Sequence, residues 1–186
     1  IRRHLSVYGT IATLPRAAAI QLNDTHPAIS VAELMRILID DHNYTLRTAL
    51  ELTRNTVAYT NHTLLPEALE SWPVQIMDRL LPPHMQLSYQ INALHLAEAS
   101  ERREIGKERM AALSIINENG GRRVRMGHLA FVGSHRVNGV SGLHGQLMRK
   151  TVFQDLNLLY PDRITHITNG ITIRRWLLEC NRALSD

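Results

Sequence analysis

The sequence predicts an α/β fold, a mainly parallel sheet with helices on both faces. Three observations carry that expectation. Short β-branched or apolar runs alternate with longer stretches of helical periodicity along the chain. No internal repeat or low-complexity segment interrupts the alternation. Compact polar residues close the extended runs, as in Asn23-Asp24-Thr25, Asn61-His62-Thr63 and Thr168-Asn169-Gly170. Strands that alternate with helices pair in parallel, and the connecting helices bury their sheet.

Ala18-Ala19-Ile20-Gln21-Leu22 reads as a short buried strand that stops at Asn23-Asp24-Thr25-His26-Pro27. Ser30 and Glu33 have capping-box spacing. Val31, Leu34, Met35, Leu38 and Ile39 then recur on one buried helix face. A second helix over 46–53 turns Leu46, Ala49, Leu50 and Thr53 inward and feeds the strand Val57-Ala58-Tyr59-Thr60. Pro66 and Pro73 read as first-turn prolines, where no helical hydrogen bond is lost.

Val74, Met77, Leu80 and Leu81 form one apolar stripe that Pro82-Pro83 ends. A long helix restarts near His84, with Leu87, Ile91 and Leu94 inward, and charge dominates residues 97–110 as a solvated helix or connection. Ser114-Ile115-Ile116 and Val124-Arg125-Met126 flank Asn119-Gly120-Gly121 as a hairpin with a glycine-permitted turn. Leu129-Ala130-Phe131-Val132-Gly133 reads as a buried strand, and Val140, Leu143, His144 and Leu147 as a helix stripe. Residues 164–167 give one more strand, and 174–180 begin another helix.

With 186 residues and 44% hydrophobic content, the chain is about one domain with ample material for a core. The single cysteine, Cys180, excludes a disulfide framework and suits a reducing compartment. No run is long and apolar enough to span a bilayer, and the first residues lack a signal peptide's apolar region. The expectation is a soluble cytoplasmic protein with no membrane partner. On that reading the sequons at Asn23, Asn43 and Asn61 are chance matches.

The net charge of +4 comes from arginine, because Lys107 and Lys150 are the only lysines. Arg102-Arg103, Arg122-Arg123 with Arg125, and Arg174-Arg175 lie on different elements. Aromatics make up 5% of the chain, too little to interleave a stacking surface, so no nucleic-acid partner is expected.

Candidate chemistry gathers at strand ends, where an open α/β sheet forms its ligand crevice. His62 and Asn169 offer neutral donors and acceptors there, suited to a sugar or another polyhydroxy ligand. Asp24 and His26 could act as a charge pair or hold hydroxyls, although ordinary turn chemistry before Pro27 is the stronger reading of the residues alone. His128, His135 and His144 lack metal-ligand spacing, so no metal is expected. The run from Gly139 to Gly145 resembles a phosphate-cradling turn but is not GxGxxG and has no P-loop lysine. Its glycines read equally as a device for close loop packing.

Several strings resemble the α-1,4-glucan phosphorylases. They are Gln21-Leu22-Asn23-Asp24-Thr25-His26-Pro27, Tyr59-Thr60-Asn61-His62-Thr63 with Pro66-Glu67-Ala68-Leu69-Glu70, Ser134-His135 with Val137-Asn138-Gly139-Val140, and Thr168-Asn169-Gly170-Ile171-Thr172 with Arg174-Arg175-Trp176. All four occur in the family's order at about its spacing. Asn119-Gly120-Gly121-Arg122-Arg123-Val124-Arg125-Met126 is similar to bacterial glycogen phosphorylases.

The resemblance implies a two-domain enzyme of the GT-B type with Rossmann-like halves and an active site between them. Such enzymes transfer the terminal glucosyl unit of glycogen, starch or maltodextrin to phosphate, giving glucose 1-phosphate with retention. Their cofactor is pyridoxal phosphate, and they are commonly homodimers. By motif, His62 and Asn169 would contact the reacting sugar, Asp24 and His26 would line the pocket beside it, and Asn138 and Val140 would form its wall. Trp176 would pack near the cofactor.

Two positions depart from the family pattern: Ile173 stands where proline is usual and Gly145 where serine is usual. Neither Lys107 nor Lys150 matches the Schiff-base motif. The expectation is an internal slice, with residues 1–168 from the later N-terminal domain and 169–186 opening the cofactor domain. By itself such a slice would be inactive and without covalent cofactor. A noncatalytic glucan-binding module and, less favoured, a basic nucleic-acid-binding domain stand as the alternatives.

Overall fold

The computed structural model describes residues 1–102 and 106–186. Seven strands form two sheets among these residues. Strands β1 (Ile20–Asn23), β2 (Val57–Thr60), β6 (Arg136–Gly139) and β7 (Ile164–His166) make a four-stranded parallel sheet in the order β1-β2-β6-β7. Strands β3 (Ser71–Pro73), β4 (Ile116–Asn117) and β5 (Arg123–Arg125) make a small antiparallel sheet in the order β3-β5-β4.

The α/β class and parallel sheet are as expected, whereas the helices expected on both faces lie on one face among the described residues. Each step from β1 to β7 moves the same way across the parallel sheet. Right-handed crossovers then set their helices on one side. Leu22, Tyr59, Val137 and Ile164 share that side through their register, and all four are buried. The other side carries Gln21 and Arg136, both exposed, with Ala58, Thr60 and Thr165 half-buried. Helices therefore crowd one face of the sheet, and a polar surface occupies the second.

The core forms under the covered face. Phe131 and Phe153 lie 5.3 Å apart, with the Tyr59 ring edge-on to Phe153 at 6.2 Å. Helix Ser30–Arg36 buries Val31, Leu34 and Met35, and Leu38 continues that face as predicted. Helix Leu46–Thr56 buries Ala49, Leu50, Thr53 and Thr56, and the Thr45 hydroxyl caps it by accepting from the Thr48 amide. Helix Pro82–Ser100 buries Met85, Leu87, Ser88, Ile91, His95 and Ala99.

Several expectations fail for identifiable reasons. Residues 129–133 are not a strand: Met126–Val132 is a helix, and the strand follows at Arg136–Gly139. Every residue of that helix except the half-buried His128 is inside, so no polar face reveals its period. The Ser30–Glu33 capping box does not form. Glu33 turns instead to Arg36, at 2.8 Å, and to His84, at 2.7 Å, across to the next helix.

Pro66 opens only a short 3-10 turn, and Pro73 ends β3 just ahead of helix Val74–Leu80. Leu80 is 68% exposed and Leu81 36%, so the inward stripe of that helix stops at Met77. In helix Gly142–Lys150 the inward residues are His144, Gly145 and Met148, while Leu143 is exposed. The charged stretch 97–110 begins in helix Pro82–Ser100 and ends in a turn and the helix Met110–Leu113. Its central residues 103–105, including Arg103, lie outside the described residues.

Candidate functional site

Four parallel strands end at the same edge, and their outgoing loops stay joined there. The Asp24 amide donates to the Thr60 carbonyl at 2.9 Å, and the Asn61 amide to the Asn138 carbonyl at 2.9 Å. The Ile167 and Asn169 amides donate to the Gly139 and Val140 carbonyls, both at 3.0 Å. These backbone bonds carry the sheet one or two residues past each strand. They bring Asp24, His62, Asn138, Val140 and Asn169 to one carboxyl edge, as a ligand crevice in an open sheet requires.

The side chains are held by local chemistry. Asp24 adopts a left-handed φ of 67°, which aspartate tolerates, and its carboxylate accepts from the Thr25 amide at 2.9 Å. The carboxylate of Glu70 then takes both following residues. It accepts from the Thr25 hydroxyl at 2.9 Å and lies 3.0 Å from His26 Nδ1. His26 is thus tied to the turn before β3, with 73% of its side chain exposed.

Beyond β2, buried Asn61 donates to the Tyr59 hydroxyl at 3.0 Å and accepts from the Thr63 amide at 3.2 Å. Burial holds the Tyr59 phenol well above its usual range, so it stays neutral. His62, the next residue, is exposed and sets Nε2 2.6 Å from Asn23 Oδ1. A polar row crosses the sheet beside it. Gln21 donates to the Thr60 hydroxyl at 2.8 Å, which donates in turn to Asn138 Oδ1 at 2.8 Å. Asn138 therefore shows its amide N–H atoms, one of them to the Gly139 carbonyl at 3.2 Å.

The glycine-rich turn after β6 serves close packing. A Cβ on Gly139 would sit 2.9 Å from the Gly145 nitrogen and 2.9 Å from the Met148 sulfur. Ser141 caps helix Gly142–Lys150 by accepting from the His144 amide at 3.1 Å. His144 Nδ1 accepts from the Val140 amide at 3.0 Å, which leaves the proton on Nε2, a buried atom with no protein partner.

Trp176 does not join this edge. It lies 52% exposed on helix Ile173–Cys180, where every residue but the half-buried Leu177 is exposed. Lys150 ends its helix in solvent. Together they make no enclosed cradle for an aromatic aldehyde cofactor. Among the described residues no group of three or more His, Cys, Asp or Glu could hold a metal, and no helix is long and apolar enough to cross a membrane.

The basic cluster is spent internally: Arg122 binds Glu118, Arg123 binds Ser71, and Arg125 donates to the carbonyls of Ala111, Ala112 and Ser114. The sequence had not singled out Asn23, Thr60 or Glu70, though all three stand inside its motif strings. Their partners lie 39 to 78 residues away.

Fold and edge together define an α/β protein whose polar side chains gather at the carboxyl edge of a parallel sheet. Comparison with known proteins is more specific. The phosphorylase family model, described as carbohydrate phosphorylase, matches residues 1–186, and the chain belongs to that family. It is 48% identical over 172 residues to the liver-form glycogen phosphorylase of Bos taurus, covering 92% of this chain and 20% of that protein. The brain form of Homo sapiens is 48% identical over 174 residues, with coverage of 94% and 21%. The glycogen phosphorylase of Synechocystis is 45% identical over all 186 residues and 22% of its own length. The chain thus spans about a fifth of the length of the curated relatives it matches.

Proposed function

We propose that this chain is the sugar-holding segment of an α-1,4-glucan phosphorylase. The complete enzyme would transfer the terminal glucosyl unit of glycogen, starch or maltodextrin to inorganic phosphate, releasing glucose 1-phosphate and a glucan one unit shorter. The observation that supports this most is the convergence of His62, Asn138, Val140 and Asn169 on one carboxyl edge in a member of the phosphorylase family.

His62 and Asn169 are assigned to the reacting sugar in this reading. Asp24 and His26 line the pocket beside it, and Asn138 and Val140 form its wall. These are positioning roles: each fixes a hydroxyl so that the bond to be broken meets phosphate in a reactive geometry. Residues 1–168 would belong to the first domain of a GT-B pair and 169–186 to the start of the second, with Trp176 facing the cofactor. In the complete enzyme pyridoxal phosphate would supply an acid–base phosphate group, while Lys150 and Trp176 of this chain are exposed and do not enclose such a group. A cytoplasmic homodimer completes the reading.

The test is His62→Ala and Asn169→Ala in the full-length enzyme, with kcat/KM measured for maltodextrin phosphorolysis. Each loses one or more sugar contacts and is expected to fall about tenfold or more. Unchanged kcat/KM in both would refute the assigned roles.

A further inference from the structure

A histidine that meets a hydroxyl ligand can present either a proton or a lone pair, and its other nitrogen decides which. At this edge the other nitrogen of His62 is occupied. Nε2 stands 2.6 Å from Asn23 Oδ1, and a carbonyl oxygen can only accept. In the tautomer that this contact selects, Nε2 carries the proton and Nδ1 a lone pair. Among the described residues, Nδ1 has no hydrogen-bond partner.

Asn23 itself is well placed to hold that orientation. It is the last residue of β1, in register with Thr60 of β2, and His62 is two residues beyond Thr60. The next amide along, Asp24, is bonded to the Thr60 carbonyl, which fixes the two loops at this point. A side-chain amide at the end of one strand thus meets an imidazole just past the end of its neighbour.

We infer that Asn23 is a positioning residue that sets the tautomer of His62, so that the crevice takes a hydroxyl as a donor at Nδ1. This deepens the sugar-site reading and depends on it. A site built to accept one hydroxyl proton discriminates against a sugar lacking that hydroxyl, because the acceptor would be left unpaired once the bound sugar covers it.

The experiment compares Asn23→Leu and Asn23→Asp in the full-length enzyme with wild type and with His62→Ala. Leucine matches asparagine roughly in size but offers no acceptor, and aspartate keeps an acceptor oxygen. The expected result is a loss of about tenfold in kcat/KM for Asn23→Leu and recovery to within about threefold in Asn23→Asp. Unchanged melting temperatures in both variants would separate this from a folding defect. A long-range 1H–15N spectrum of the 186-residue chain supplies the spectroscopic readout, with the Nε2–H tautomer of His62 in wild type and mixed tautomers in Asn23→Leu. Asn23→Leu matching wild type, or Asn23→Asp faring no better than leucine, would overturn the inference. If His62→Ala itself retains full kcat/KM, the sugar-site reading fails instead.

Discussion

His95 ties acid sensitivity to the core. It has no exposed surface, its Nε2 donates to the Leu113 carbonyl at 3.0 Å, and its Nδ1 lies 3.2 Å from the Tyr160 hydroxyl. That hydroxyl also donates to Glu98 at 2.9 Å, so one proton faces two acceptors. Burial lowers the His95 pKa to about 4. In an unfolded chain a histidine titrates near 6.5. Between those values the unfolded chain binds a proton that the folded one excludes, so stability is intact above about 6.5 and falls with pH until about 4. Each pH unit inside the window is about 1.4 kcal/mol, so passing from pH 7 to pH 5 costs about 1.8 kcal/mol at this residue. His95→Gln keeps a donor for Leu113 and has no proton to gain. Urea unfolding of the 186-residue chain followed by circular dichroism at pH 7, 6 and 5 measures the difference. The wild type should lose about 1.8 kcal/mol more than His95→Gln over that range. His128, lowered to about 3 chiefly by burial, acts with the same sign and is common to both proteins apart from a minor contribution from His95 itself. Equal pH slopes in the two proteins would refute the reasoning.

Gly139→Ala should destabilise the same chain by about 1–3 kcal/mol in urea, because its Cβ meets the Gly145 backbone nitrogen at 2.9 Å. A loss below about 0.5 kcal/mol would show that the turn yields. Gly145→Ala should change stability by less than about 1 kcal/mol. Its Cβ approaches no atom closer than His166 Cβ at 3.2 Å, and a helix gains from losing glycine. Arg125→Met should cost about 2–3 kcal/mol in the same assay, since three carbonyls lose a charged donor.

What the sequence reveals depends on whether the physics is local. Strand Val57–Thr60 was legible to the residue because a helix pattern ends where a β-branched run begins. The hairpin turn was legible because Gly120 and Gly121, at φ of 68° and 93°, permit a backbone that other residues resist. Helix Met126–Val132 was misread because burial on all sides erases its period. The capping box failed because Glu33 found His84, 51 residues away. The same division runs through the site. Asp24, His62 and Asn169 stood out through turn chemistry at strand ends. The groups that orient them did not: Asn23 and Glu70 matter through partners that only sheet register brings within reach.

The one-sided cover of the parallel sheet bears on how that edge is held. A parallel sheet usually needs apolar side chains on both faces because helices cover both. Here the second face offers Gln21, Thr60, Asn138, Arg136 and Thr165. Part of that face is joined in a polar row: Gln21 to Thr60, and Thr60 to Asn138. The row also has a direction, each group donating to the next until Asn138 is left showing N–H. His62, by contrast, shows a lone pair on Nδ1 when its Nε2–H donates to Asn23 Oδ1. The crevice edge thus pairs a fixed donor with a fixed acceptor, and the polarity of each is set by residues on the neighbouring strands. A hydroxyl group both donates and accepts, so it is the ligand chemistry that such an edge can satisfy at both points.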